Sequence, residues 1–181
     1  MRKNDIVTMD IIDVSNDGNG IGRYENLVVF VPFSVTGDVL SVRIVKVLKS
    51  YAFGIIDEIL TPSPKRAKNQ ICEIFGKCGG CSLGHIDYAE EVKIKNGWVY
   101  GNMKKIGKTE FEPVPPIPSV SAEEYRNKAI YPLGINENGR IVAGFYAKRS
   151  HRIVPADNCP LHPRFFGVIL NAFTDWANEN K

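Results

Sequence analysis

Residues 6–14 read IVTMDIIDV, and three more short runs rich in Val, Ile and Phe follow: LVVFVPF (27–33), VLSVRIVKVL (39–48) and AFGIIDEIL (52–60). Turn-forming sequences separate these runs: NDGNG (16–20), SVTGD (34–38) and LKS (48–50). Short strands joined by tight turns predict a small barrel, because closure removes the unpaired edges of a sheet. We therefore expect an α+β protein that is mainly β, with a barrel at residues 1–61.

The rest of the chain predicts a second domain at residues 62–181. Residues 61–71, TPSPKRAKNQI, have two prolines and three basic residues and indicate a solvated linker. Residues 111–121 hold four prolines and indicate an extended connection. NKAIYPLGI (127–135) and RIVAGFYA (140–147) flank Asn138-Gly139, a hairpin signal, and SHRIVPAD (150–157) continues the small antiparallel sheet.

Two helices are predicted. The first covers residues 87–106, with Asp87 as its N-cap and Gly107 as its stop. Its apolar stripe comprises Tyr88, Val92, Val99, Met103 and Ile106. The second covers residues 162–178, with Phe166, Ile169, Phe173 and Trp176/Ala177 on one face. We expect each stripe to pack against the protein.

Composition indicates a soluble, cytoplasmic protein. The chain has 181 residues, 44% of them hydrophobic and 24% charged. No apolar run approaches the about 18 residues of a membrane helix, and the N-terminus lacks the apolar segment of a secretory signal.

Basic residues concentrate in one stretch. The net charge is only +3, but residues 140–168 hold five Lys and Arg against one acid, Asp157, with Phe145, Tyr146 and His151 among them. Such a stretch can neutralise phosphates and stack bases. A solvated charged face is the alternative.

The cysteines carry the strongest signal. Three stand as Cys72-x5-Cys78-Gly-Gly-Cys81, and the fourth, Cys159, precedes Pro160. A cytosolic chain disfavours disulfides, and a structural zinc site usually has two Cys-x2-Cys pairs where this chain has one. An iron–sulfur cluster held by four sulfurs fits the spacing and the Cys-Pro ending better. The Cys-x3-Cys-x2-Cys pattern of radical enzymes is absent.

The remaining motifs give little evidence of function. Gly18-Asn-Gly20-Ile-Gly22 has the spacing G-x-G-x-G and precedes a strand, so it predicts a turn and not a dinucleotide site, with Arg23 as a candidate phosphate contact. His85 follows Cys81 closely and is expected near the metal site or at the entry of the helix. His151 and His162 lack a partner motif, and no catalytic triad, His-Glu-x-x-His or P-loop is present.

These residues resemble a known family. PSPKRAKNQICEIFGKCGGCSLGH (62–85) is similar to the segment after the TRAM domain in RNA uracil-5-methyltransferases, where P-S-x-x-R precedes Cys-x5-Cys-Gly-Gly-Cys and a short helix. Residues 125–128, YRNK, resemble the family's Y-R-N-K/R segment. Residues 144–160 resemble the strand pair that leads to the fourth cluster ligand, and residues 1–60 resemble the TRAM barrel, an RNA-binding fold of the OB type. Within that family, the residues resemble the bacterial 23S rRNA methyltransferases that carry the cluster.

The resemblance implies methyl transfer from S-adenosylmethionine to C5 of a uridine, with a cysteine attacking C6 and a carboxylate removing the C5 proton. In the family those groups and the cofactor site lie in a C-terminal domain, so we expect no catalytic residue in this chain and no methylation by it alone. Glu91 stands where the family usually has Gln, which leaves any contact of that Gln open.

The resemblance also implies the site residues. A [4Fe–4S] cluster would be held by Cys72, Cys78, Cys81 and Cys159. RNA, expected to be 23S rRNA and neither DNA nor a membrane, would contact basic side chains on the barrel and the central sheet: Arg23, Arg43, Lys46, Arg126, Lys128, Arg149, His151 and Arg152. The alternatives are a stand-alone RNA-binding or redox-sensing module without catalysis, and a zinc-stapled structural protein.

Overall fold

The computed structural model describes residues 1–69, 72–112 and 114–181. The chain forms two compact units. The first, the barrel unit, comprises Met1–Lys68 and Ser82–Pro118; the second, the cysteine unit, comprises Asn69–Cys81 and Ser119–Lys181. No helix of the described residues is long and apolar enough to cross a membrane.

Five strands close the barrel in the order β1-β2-β3-β5-β4. The strands are β1 (Ile6–Val14), β2 (Asn19–Tyr24), β3 (Leu27–Pro32), β4 (Val39–Val47) and β5 (Tyr51–Thr61). All pairs are antiparallel except β3 with β5. The predicted barrel is therefore confirmed, and every one of the four apolar runs is a strand.

Alternation along the strands builds the core of the barrel. In β1, Val7, Met9 and Ile11 are buried and the residues between them are exposed, as expected for a strand with one face inward. The strand β2 was not expected, because its glycines predicted a turn. Gly20 lies inside β2 where a Cβ would come within 1.9 Å of the Ser34 hydroxyl, so close packing and not turn formation explains this glycine.

The predicted linker is packed against the barrel over its described part. Asp38 is fully buried, and its two carboxylate oxygens accept hydrogen bonds from the backbone N–H groups of Val35 (2.7 Å) and Ser63 (2.9 Å). The Arg66 guanidinium donates two hydrogen bonds to the same carboxylate, at 2.8 and 2.7 Å. Arg66 is therefore a structural ion-pair partner and not a solvated linker charge. Gln70 and Ile71, the end of that linker, lie outside the described residues.

The first helix, α1 (Tyr88–Lys105), belongs to the barrel unit. Asp87 is its N-cap, as predicted, and accepts a hydrogen bond from the Ala89 N–H at 3.0 Å. The predicted stripe was wrong, since its members Val99, Met103 and Ile106 are exposed. A different face meets the barrel: Ile94 and Trp98 pack on a cluster formed by Val14, Val35 and Ile86, and the Trp98 indole N–H donates to the Val14 carbonyl at 2.8 Å.

Because of these contacts, the boundary between the barrel unit and the cysteine unit differs from the boundary predicted at residue 61. Residues 62–68 and 82–118 join the barrel, held by the Asp38–Arg66 pair and by Trp98. The connection at residues 111–121 has no helix or strand in its described part; Pro113 lies outside the described residues.

The cysteine unit contains the predicted small sheet, in the order β6-β7-β8. Its strands are β6 (Leu133–Ile135), β7 (Ile141–Tyr146) and β8 (Ile153–Pro155), all antiparallel. The turn between β6 and β7 is as expected: Gly139 has φ of 71°, and the Asn136 side chain accepts from the N–H groups of Asn138 and Arg140.

The second helix, α2 (Phe165–Glu179), buries only part of its predicted face, since Phe166 and Ala177 are half-buried. Its buried residues are Gly167 and Leu170, whereas Ile169, Phe173 and Trp176 are exposed within the described residues. Asn178 ties the helix to β7 by accepting from the Ile141 N–H and donating to the Ile141 carbonyl, both at 2.8 Å.

Candidate metal centre and nucleic-acid interface

All four cysteines line one cavity of about 60 Å³ in the cysteine unit. Each is half-buried and present as a thiol, with no disulfide among the four, all of which the structure describes. Phe145, Arg126 and Leu161 complete much of the wall. The structure thus brings a remote cysteine, Cys159, to the loop that carries the other three.

Tight turns shape the loop. The N–H groups of Lys77 and Cys78 donate to the Ile74 carbonyl at 3.0 and 2.9 Å, and Gly76 has φ of 81°, a conformation that favours glycine. The Gly80 N–H donates to the Cys78 Sγ at 3.3 Å. These backbone hydrogen bonds hold the Cys78 side chain within the turn.

The loop is attached to the hairpin of β7 and β8. The Gly79 N–H donates to the Tyr146 carbonyl at 2.9 Å, and Cys78 forms a β-bridge with Ala147. A Cβ on Gly79 would lie 3.1 Å from the backbone of Lys148, which leaves little room for a side chain. The conformation of the loop is therefore coupled to that of the hairpin tip.

The electrostatics of the cavity favour the neutral thiols of Cys81 and Cys159. Burial raises the pKa of Cys81, and the nearby Cys159, Cys78 and Cys72 raise it further, while Arg126 lowers it. Burial likewise raises the pKa of Cys159, against which the Leu161 backbone N–H lowers it. Four thiolates crowded together repel each other, and positively charged metal removes that repulsion.

The donor set fits an iron–sulfur cluster. Sulfur-only ligands from four cysteines are the usual ligands of a [4Fe–4S] cluster, in which each thiolate binds its own iron. Among the described residues, no three His, Cys, Asp or Glu side chains are close enough to hold one metal ion.

An aromatic cluster that sequence reasoning missed backs the cavity. His162 is buried, and its Nδ1 is 2.9 Å from the Tyr131 hydroxyl. Phe145, which lines the cavity, packs on Tyr131 with ring centroids 4.8 Å apart. Burial lowers the pKa of His162, with Arg126 as a second cause. No sequence motif links His162 to its partner, because Tyr131 lies 31 residues away.

His85 is not in the cysteine unit. It is buried in the barrel unit, where its Nε2 lies 3.2 Å from the Ser34 carbonyl and its ring meets Phe33 edge-on. Burial lowers its pKa, so the neutral imidazole donating from Nε2 is favoured.

The structure separates the candidate RNA contacts into two groups. On the barrel, Arg23 and Lys46 are exposed, whereas Arg43 is paired with Asp57 and shares its charge with that carboxylate. In the cysteine unit all five are exposed: Arg126, Lys128, Arg149, His151 and Arg152. Arg126 is the member that also reaches the cysteine cavity.

The two candidate residues for base stacking, Tyr146 and Phe145, differ in exposure. Tyr146 is 47% exposed, and His151 meets its ring edge-on with centroids 5.5 Å apart. Phe145 is half-buried against Tyr131 and belongs to the wall of the cysteine cavity. Of these two residues, only Tyr146 therefore has a ring that a ligand can reach from solvent.

The TRAM domain family model matches residues 2–56. An uncharacterized RNA methyltransferase of Nostoc sp. is 39% identical over 176 residues, which is 96% of this chain and 38% of that protein. One of Halalkalibacterium halodurans is 37% identical over 99% of this chain and 39% of its own length. The chain thus spans less than two fifths of the length of these relatives.

A solved structure is similar over nearly the whole chain. It is the Pyrococcus abyssi tRNA (uracil-54, C5)-methyltransferase in complex with S-adenosyl-L-homocysteine. The TM-score is 0.62 at 26% sequence identity, over 95% of this chain and 37% of that one.

Proposed function

This chain carries a TRAM domain and is a homologue of proteins named RNA methyltransferases, and from that premise we propose that it is the RNA-recognition part of an S-adenosylmethionine-dependent RNA uracil-5-methyltransferase. The observation that carries the proposal is the extent of the match. A single structure of a uracil-5-methyltransferase, bound to the product form of the methyl donor, aligns with 95% of the chain. Both units are therefore included in the similarity, and not the TRAM domain alone.

The proposed role of this chain is to bind and orient RNA. The cofactor site and the group that attacks uridine would lie in the remaining three fifths of the relatives' length. We expect the 181-residue chain to bind RNA and to transfer no methyl group from S-adenosylmethionine. A stand-alone RNA-binding module is the alternative, and the reading frame that follows this segment in its gene distinguishes the two.

The cysteine cavity would hold a [4Fe–4S] cluster, with Cys72, Cys78, Cys81 and Cys159 as its ligands. When bound, the cluster would supply a cross-link between segments far apart in the chain, and its positive irons would stabilise the thiolates. The residues around it would exclude water: Phe145 closes one wall and Leu161 another. The hydrogen bond from Gly79 to Tyr146 would keep the hairpin tip in place beside the cluster loop.

RNA would contact the exposed cations of both units. Arg126 and Lys128 follow the Tyr125 that begins the Y-R-N-K segment, and both are exposed. Arg43 would contribute less than Arg23 or Lys46, because Asp57 already neutralises part of its charge. Unpaired RNA is the expected ligand, since its bases can be splayed out and stacked on protein side chains.

The experiment is RNA binding by the 181-residue chain at several salt concentrations. Each phosphate contact contributes a slope of about −0.7 in log K against log salt for single strands. We expect a steep decrease in affinity with salt, a preference for single-stranded over duplex RNA, and a shallower slope in Lys128→Gln. Salt-independent binding, or no binding, would remove the basis of the proposal.

Two RNA classes are candidates for the substrate. The sequence resemblance favours 23S rRNA, whereas the solved relative is named for uridine 54 of tRNA. Competition between a tRNA transcript and 23S rRNA fragments for the chain decides between them, because the RNA with the correct fold should displace the other at the lower concentration.

A further inference from the structure

The cysteine unit has an open pocket on the outer side of the hairpin tip. Its volume is about 550 Å³, within the range of about 300–1,000 Å³ that small ligands occupy. The floor is formed by Gly79 and Gly80 of the cysteine loop, and the walls by residues 145–151. It adjoins the cavity that the four thiols line, with Gly80 and Phe145 shared between the two.

The walls combine an aromatic face with positive charge. The exposed ring of Tyr146 stands beside the edge of His151, and Lys148 and Arg149 come next in the chain, both exposed. None of the described residues that line the pocket is acidic. An aromatic face for a base and cations for a phosphate are the two components with which proteins bind unpaired nucleotides.

The backbone holds this arrangement in place. The Ser150 N–H donates to the Ala147 carbonyl at 3.1 Å and the Ala147 N–H to the Arg152 carbonyl at 2.9 Å, which closes the tip into a tight loop. Arg149 has φ of 56°, a left-handed conformation that costs free energy in a residue other than glycine. Glycine would adopt this conformation without strain, so the Arg149 side chain can be removed without disturbing the turn.

We propose that this pocket binds one unpaired nucleotide of the RNA, its base stacked on Tyr146 and its phosphate held by Lys148 and Arg149. The inference rests on the proposed function, in that RNA is the ligand, and it adds the position and chemistry of one nucleotide site. A base in a duplex could not enter the pocket, because it is stacked between its neighbours. The site takes a nucleotide of any sequence, since every base has a stacking face.

The test measures binding of a single-stranded RNA and of an abasic RNA of the same length. Tyr146→Ala should weaken binding of the normal strand about tenfold, within the range found for the loss of one stacked base, and leave binding of the abasic strand unchanged. Tyr146→Phe should restore most of the affinity, because it keeps the ring. Lys148→Gln should weaken binding of both strands and reduce the salt slope by about one contact.

Arg149→Gly separates charge from folding. Glycine adopts a positive φ without strain, so this variant should fold at least as stably as the parent chain and still bind both RNAs more weakly. Lys181→Gln is the matched control: it removes one positive charge at the opposite end of β7, where Lys181 contacts the Gly139 carbonyl. That control should bind RNA like the parent.

The outcomes distinguish a failure of the proposed RNA-binding function from a failure of the nucleotide pocket alone. If the parent chain binds neither RNA, the proposed function fails. If the parent binds RNA but Tyr146→Ala and Arg149→Gly do so equally well, the nucleotide pocket is wrong and the RNA-binding function stands. Equal loss of normal and abasic RNA in Tyr146→Ala, with an altered unfolding curve, would assign a structural role to Tyr146 and also overturn the pocket.

Discussion

Replacing Arg66 by alanine should destabilise the barrel unit far more than replacing Arg43. Both arginines pair with an aspartate, but their surroundings differ. The Asp38 side chain is fully buried and that of Arg66 is only 19% exposed, whereas the Arg43 and Asp57 side chains are 42% and 30% exposed. A buried charge that loses its partner cannot be solvated, and a surface one can.

The magnitude follows from the hydrogen bonds that remain. Loss of one partner of a buried ion pair costs about 3–5 kcal/mol. Asp38 would keep two backbone N–H donors, from Val35 and Ser63, so the lower end, about 3 kcal/mol, is expected. For a unit of roughly a hundred residues this lowers the Tm by about 12 °C. Arg43→Ala should cost about 0.5 kcal/mol, as for other exposed pairs.

The assay is urea unfolding followed by tryptophan fluorescence. The chain has two tryptophans, and only Trp98 is in the barrel unit, so a Trp176→Phe background reports on that unit alone. Trp98 donates to the Val14 carbonyl, which makes its emission sensitive to unfolding. Arg66→Lys should have an unfolding midpoint between those of the parent and Arg66→Ala. Lysine keeps the positive charge but cannot make the two parallel hydrogen bonds of the guanidinium. Equal midpoints for the Arg66→Ala and Arg43→Ala chains would refute the reasoning.

Three further predictions concern other parts of the molecule. Burial lowers the pKa of His85, so below its ordinary value of about 6.5 the unfolded chain binds more protons than the folded one. The unfolding free energy of the barrel unit should therefore decrease from pH 7 towards pH 5, by at most about 1.4 kcal/mol per pH unit from this group, and less in His85→Gln; an equal slope in both chains would contradict the assignment. Gly144→Ala should cost about 1–3 kcal/mol or more in thermal unfolding, because the new Cβ would lie 2.0 Å from the Val154 carbonyl oxygen, whereas Gly139→Asn, in open space at a turn, should cost less. Cys81→Ser should lose the bound metal and make both the cysteine loop and the segment at Cys159 more sensitive to proteases; full metal content with unchanged melting would show that Cys81 is not a ligand.

Local signals in the sequence predicted local structure well. The Val- and Ile-rich run IVTMDIIDV predicted strand β1, Asp87 predicted the start of α1, and Asn138-Gly139 predicted the hairpin turn, because each depends on residues a few positions apart. The gathering of the four cysteines at one cavity was also expected from their number and spacing.

Long-range contacts were not predictable in the same way. Asp38 stands in a turn sequence where an aspartate is usually exposed, and its partner lies 28 residues further on. The stripe predicted for α1 was wrong and that for α2 only partly right, because periodicity alone does not tell which face meets the protein. In α1 the indole of Trp98, with an apolar body and one donor, packs on the barrel instead.

The most direct test is the iron and acid-labile sulfide content of the chain purified without air, compared between the parent and Cys159→Ser. The parent should contain about four irons and about four sulfides per chain, as a [4Fe–4S] cluster requires, and Cys159→Ser should lose most of both. One zinc per chain and no sulfide, or a cluster that survives the loss of Cys159 intact, would contradict the proposed assembly of the three loop sulfurs and the remote Cys159 sulfur around one inorganic centre.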